Sequence, residues 1–133
     1  MLGHTWRLRA SNTQNQNITV TVKARYFKFG TDGSLTFSNE QTLVNAASVS
    51  ATTGTTASST VDNSVDKFLG MTITASFTAA SATDGSGFVN LTLERSTDGG
   101  TTWPTQDRGI FVGAEVLVAG DSTNARLRNF TFR

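Results

Sequence analysis

Phe88-Val89-Asn90-Leu91-Thr92-Leu93-Glu94-Arg95 runs directly into Ser96-Thr97-Asp98-Gly99-Gly100-Thr101-Thr102-Trp103. The first eight residues alternate apolar and polar, the period of a half-buried strand. The next eight read Ser-x-Asp-x-Gly-x-Thr-Trp, an Asp-box. A chain leaving a strand must reverse, and the reversal needs residues that tolerate positive φ. Gly99 and Gly100 supply them. Asp98 is placed to accept hydrogen bonds from turn amides that would otherwise go unpaired. Ser96, Asp98, Gly99, Gly100, Thr102 and Trp103 are therefore read as one structural corner. Thr102 favours the extended return, and the Trp103 indole is expected to anchor a hairpin to the core. Pro104 limits pairing beyond it.

The same alternation recurs outward from this stretch. Trp6 and Leu8 alternate with Arg7 and Arg9 over Thr5 to Ala10, and Ser11 to Gln16 reads as a loop. Ile18, Val20, Val22, Ala24 and Tyr26 share one face of a long strand from Ile18 to Phe29. Phe27 and Phe29 then place apolar groups on its second face, which predicts a bend or a cover on both sides. Gly30-Thr31-Asp32-Gly33-Ser34 is a turn, and Leu35-Thr36-Phe37 starts a return that continues unevenly to Val44. Further strands fall at Lys67 to Ala79, Arg108 to Ala119 and Ala125 to Phe132. Gly113 predicts a bulge or close packing in the second of these. Thr-Asp-Gly corners at residues 31, 83 and 97 have different flanks, so they mark tight reversals and no internal repeat. Ala46 to Ser64 is mostly Ala, Ser and Thr. It reads as a flexible loop with some short strand, or as an arm that orders against a neighbour.

About seven to eight strands with frequent turns, and no sustained helical period, predict a single all-β domain over residues 1–133. The architecture expected is an antiparallel β-sandwich or jelly roll. The length suits one domain with its own core. There are no cysteines, so no disulfide framework and no thiolate metal site. Lys and Arg number 11 against 10 Asp and Glu, so no overall basic field draws the chain to nucleic acid. The first residues lack the apolar run of a signal peptide, and no stretch approaches a membrane span.

Catalytic chemistry finds little support. His4 is the single histidine, so any Ser-His-Asp arrangement would have to use it. No His-rich or calcium-loop pattern occurs, and no metal or cofactor site is read. Asp32, Asp84, Asp98 and Asp121 fall in turns, where capping explains them without the chemistry of a glycosidase pair. Glu94 and Glu115 lie on strands, with Arg95, Arg108 or a neighbouring subunit as expected partners. The basic residues Arg7/Arg9, Lys23/Arg25 and Arg126/Arg128 are i,i+2 pairs, each sharing a sheet face. If their strands are neighbours, they form a basic strip, read first as solvated faces and next as a docking surface for an acidic protein. Few aromatics interleave them, so a base-stacking platform is not evident. Three Asn-x-Thr sequons fall within strand patterns, where Asn and Thr are abundant. Trp6, Tyr26 and Trp103 are the candidates for a sugar-binding face, though each fits a core or hairpin anchor more easily.

The Asp-box is similar to those of sialidases and other propeller proteins, but a propeller of several blades of roughly 40–50 residues does not fit in this length. The sixteen residues Phe88 to Trp103 more closely resemble a segment of small virion-associated proteins of tailed bacteriophages, in which a strand ending Leu-Glu-Arg-Ser meets an Asp-Gly-Gly corner and an aromatic residue. The resemblance implies a non-enzymatic structural subunit located in the virion, assembled in the host cytoplasm and acting by copy number and contact. It carries no catalytic residue over. A capsid decoration or cement subunit is the first expectation, with the major capsid protein as partner and a homo-oligomer as its form. A tail or connector component, or a carbohydrate-binding β-sandwich, is the alternative.

Overall fold

Alternation of buried and outward-facing residues builds the four central strands of this fold. The computed structural model describes residues 5–80, 87–103, 110–115, 117, 122 and 125–132. Ten strands form among them: β1 (Thr5–Asn12), β2 (Ile18–Phe29), β3 (Leu35–Phe37), β4 (Gln41–Val49), β5 (Thr55–Ala57), β6 (Val61–Asp62), β7 (Gly70–Ala79), β8 (Val89–Ser96), β9 (Ile110–Glu115) and β10 (Arg126–Phe132). No helix longer than a single 3-10 position occurs among the described residues.

The strands form two five-stranded antiparallel sheets packed as a β-sandwich. In the first sheet β1 lies between β8 and an edge made of β5 and β6, and β9 pairs the far side of β8. In the second, β7 and β2 are central, β10 is one edge, and β3 with β4 makes the other. One edge of each sheet is thus a single strand position broken in two. Seven strands have six or more residues and three are shorter, so the expected seven to eight count the long elements and merge the broken edges.

The core follows from register. Trp6, Leu8 and Ala10 on β1 and Val89, Leu91 and Leu93 on β8 meet Ile18, Val20, Val22 and Ala24 on β2 and Met71, Ile73, Ala75 and Phe77 on β7, all buried. Each large side chain removed from water in this way stabilises by about 1.5–3 kcal/mol. Tyr26 closes one end. Its ring meets Trp6 edge-on at 5.8 Å and stacks on Phe68 at 5.0 Å. Burial pushes its hydroxyl up to about 12.

Two stretches differ from the sequence reading. β1 runs two residues past Ala10, because buried Asn12 ties the following turn down. Its Nδ2 donates to the carbonyls of Gln16, Val49 and Ser50, and its Oδ1 accepts from the Gln14 amide. Residues 46–64 hold the end of β4 and both β5 and β6, paired along β1, with Leu8 and Ser58 exchanging hydrogen bonds at its middle. The stretch is short strand covering the β1 edge. In β9 the ladder slips between Leu91 and Thr92, whose partners are Gly113 and Phe111, so the bulge expected at Gly113 is there. His4, the Thr83-Asp84-Gly85 corner, Pro104, Arg108 and Asp121 lie outside the described residues.

Candidate functional site

The two sheets turn different chemistry outward. On the first sheet, Arg7 stands directly opposite Glu94 across the β1–β8 ladder. Arg7 Nε donates to Glu94 Oε2 at 2.7 Å, and Arg9 Nη1 to Oε1 at 3.3 Å. Glu94 is fully buried beneath them, while the arginine side chains keep 26% and 14% exposure. A buried carboxylate needs this compensation, since desolvation alone would disfavour its charge. The expected partner Arg95 is the adjacent residue and points to the opposite face; β1 supplies the partners instead.

Trp103 lies over this network, with Arg7 Cζ 4.2 Å from the ring centroid. The indole is half-buried, so the expected core anchor is a cation-π cover on the outside of the sheet. The corner before it is held as its residue types require. Asp98 Oδ1 accepts from the amides of Thr101 and Thr102 at 3.1 and 2.9 Å, and Oδ2 accepts from the Thr102 hydroxyl at 2.6 Å. Ser96 Oγ donates to Asp98 and accepts from the Gly100 amide. Gly99 and Gly100 take φ of 73° and 96°. The Thr102 hydroxyl, then its amide, then the Ser96 hydroxyl hold the Asp98 carboxyl well below the usual carboxylate range. The strand that returns begins at Ile110, not at Thr102, so this corner opens a longer connection than a tight hairpin.

The outer face of the second sheet is organised differently. β2 carries Lys23, Arg25, Phe27 and Phe29 on it in succession. Phe27 pairs with Phe37 and Phe29 with Leu35 across the β2–β3 hairpin, and the Phe27 and Phe37 rings are 6.0 Å apart. Phe29, Leu35 and Phe37 are 63%, 49% and 56% exposed. With Leu69, Thr72 and Thr131 they line a groove of about 600 Å³. On the other side of Phe27 its register partner is Gly70, which contributes no side chain, so the face is indented there. β2 keeps its pairing with β3 and β7 through this point, and among the described residues no second layer covers Phe29. The inward position of β2 passes to Lys28, whose ammonium lies 5.1 Å from the Phe68 ring and 3.5 Å from Asp66, and Phe29 stands in the open. Alternation placed Phe27 and Phe29 on that face. Leu35 and Phe37 were legible too, because the Gly30–Ser34 turn sets them opposite.

The basic pairs do not form one strip. Arg7 and Arg9 are engaged by Glu94 on the first sheet. Lys23 and Arg25 share the outer face of the second sheet, with Lys23 Nζ 3.0 Å from Glu40. Arg126 and Arg128 pair with Phe77 and Ala75, whose side chains point into the sandwich, so they sit on the inward-turned side of the β10 edge, where Leu127 takes the outward place at 60% exposure. Inward-turned charge on an edge strand discourages pairing with further strands. Of the proposed sugar-binding aromatics, Trp6 and Tyr26 are buried and Trp103 is half-buried. The apolar end of the second sheet is the surface best suited to recognition, since contiguous exposed apolar area marks contact sites. Comparison of this chain with protein-family models, curated proteins and solved structures returns no match.

Proposed function

We infer that this chain is a non-enzymatic structural subunit of a tailed-bacteriophage virion, most consistent with a capsid decoration or cement protein seated on the major capsid protein. The observation that carries the reading is the uncovered apolar end of the second sheet, where Phe29, Leu35 and Phe37 are each about half or more exposed. A surface of that kind costs solubility and is recovered through contact with protein. The likeness of residues 88–103 to virion-associated proteins gives the contact its setting. The test is particle binding. Shells assembled without this chain should take it up at a fixed number of copies, visible by electron microscopy, and gain resistance to heat. Shells that take up none at micromolar protein overturn the capsid reading; uptake by isolated tails or connectors transfers it to that part of the particle.

A carbohydrate-binding module is the second reading. The half-exposed Trp103 favours it, since an indole outside the core is available to stack on a sugar ring. Arg7 already occupies one neighbourhood of the ring. A glycan array without hits removes this reading.

A further inference from the structure

We propose that the apolar face of the second sheet docks on the same face of a second copy of this chain, with the strands of the two copies antiparallel and each Arg25 meeting Asp32 of the other copy. The proposal rests on the structural-subunit reading and names the occupant of its contact surface.

The charges that bracket the groove argue for it. Along β2 the outward positions read Arg25, Phe27, Phe29, and the hairpin tip that holds Asp32 follows. At about 3.3 Å per residue, Arg25 lies roughly 13 Å from Phe29 along the strand. The groove therefore has a cation at one end and an anion just past the other. Among the described residues no salt bridge or side-chain hydrogen bond engages Arg25. Asp32 is fixed in place, since its Oδ1 accepts from the Ser34 amide at 3.0 Å and the Ser34 hydroxyl at 2.6 Å. Those two bonds, the hydroxyl's first, hold its carboxyl below the usual range, so it is ionised at neutral pH.

A two-fold axis lying in the contact plane can run along the strands or across them. Along the strands, it sets Arg25 on Arg25 and like charges meet. Across the strands, it reverses one copy, the phenylalanines still face each other, and each Arg25 meets an Asp32. Such an isologous contact satisfies both ion pairs with one operation. Sheet faces pack about 10 Å apart with strands nearly aligned, so the result is a four-layer stack of two sandwiches. The notch at Gly70 beside Phe27 gives an opposing ring a place to enter. The opposite charges at the two ends favour a second copy over a partner of single charge sign.

Sedimentation velocity of the full chain over a concentration series tests this. The expected result is a reversible dimer. Arg25→Glu should weaken it by at least about tenfold, because each of two attractions becomes a repulsion. Asp32→Lys should do the same, and combining the two should restore association. Asp32→Asn keeps an acceptor for Ser34 and removes the charge, so it should weaken the dimer with an unchanged circular dichroism spectrum. Phe29→Ser should give a folded monomer. A wild-type chain that stays monomeric, a double variant no tighter than either single one, or a dimer indifferent to Phe29→Ser each overturns the proposal. Particle binding separates it from the reading above. A dimer that binds no particle leaves this inference standing and removes the virion reading. A monomer that binds particles and loses them on Phe29→Ser does the reverse, and assigns the face to the shell.

Discussion

The outer face of the first sheet closes its charges on itself, and the outer face of the second leaves its apolar groups open. Arg7, Arg9, Glu94 and Trp103 come from three separate stretches of chain, yet each meets another of the set. Phe27, Phe29, Leu35 and Phe37 come from one hairpin, and three of the four leave about half or more of their surface open. The first arrangement is what stability requires of a carboxylate sunk below a sheet surface. The second contributes little to the fold of one chain. Where a small domain keeps such area exposed, the force that maintains it lies in association.

The largest expected effect breaks the first face. Glu94→Ala should destabilise by about 3–5 kcal/mol in urea denaturation, since it leaves two partly buried guanidinium groups without their counter-charge. A loss under about 1 kcal/mol would mean that the network solvates freely and the two faces do not differ as described. Next comes Trp103→Ala. Because the indole is only half-buried and its main contact is a cation-π one, the expected cost is about 1–2 kcal/mol, below the roughly 3–5 kcal/mol of a fully buried tryptophan. A loss of the larger size would return Trp103 to the core. Phe29→Ser should change stability by about 0.5 kcal/mol or less while removing association, which is the clearest contrast with Glu94. A large loss of stability there would make the second face structural.

The smallest effects concern one turn beside each face. Asp98 and Asp32 both have depressed carboxyls, so each contributes stability above the ordinary carboxylate range that is lost as pH falls through its folded value. Asp98 gathers donors from Thr101, Thr102 and Ser96, while Asp32 relies mainly on Ser34. Asp98→Asn should therefore flatten the acid dependence of the urea midpoint, between about pH 5 and pH 2, more than Asp32→Asn does. Equal flattening would show that the additional donors do not matter. Both groups are exposed, and solvent keeps both effects small.

Much of this was legible in the sequence, and the limits have a physical cause. Period-2 patterning located β1, β2, β7 and β8 and gave the sandwich, because each strand's inward set can be counted locally. It could show that Arg126 and Arg128 share a face but not which one. That depends on register with β7, where they fall beside Phe77 and Ala75. Glu94 shows the same limit. Its partners are 85 and 87 residues away, so neighbouring sequence proposed Arg95 while the fold supplied Arg7 and Arg9. The Asp98 corner was readable because its donors lie within four residues. Residues 46–64 were not, since their low complexity conceals that Ser58 and Val61 are set against β1.

The position of β1 has a kinetic consequence. This first strand sits inside its sheet, and the ladder along its whole length is completed by β8. Arg7 and Glu94 are 87 residues apart. At ordinary translation rates that separation means roughly 4–17 s between synthesis of one and synthesis of the other. β1 spends that interval without the strand that will pair along it, and pairings of this range are slow to nucleate even in a finished chain. A newly made chain is therefore most vulnerable to premature aggregation before β8 arrives, when its core strands and the exposed phenylalanines of the β2–β3 hairpin are accessible together.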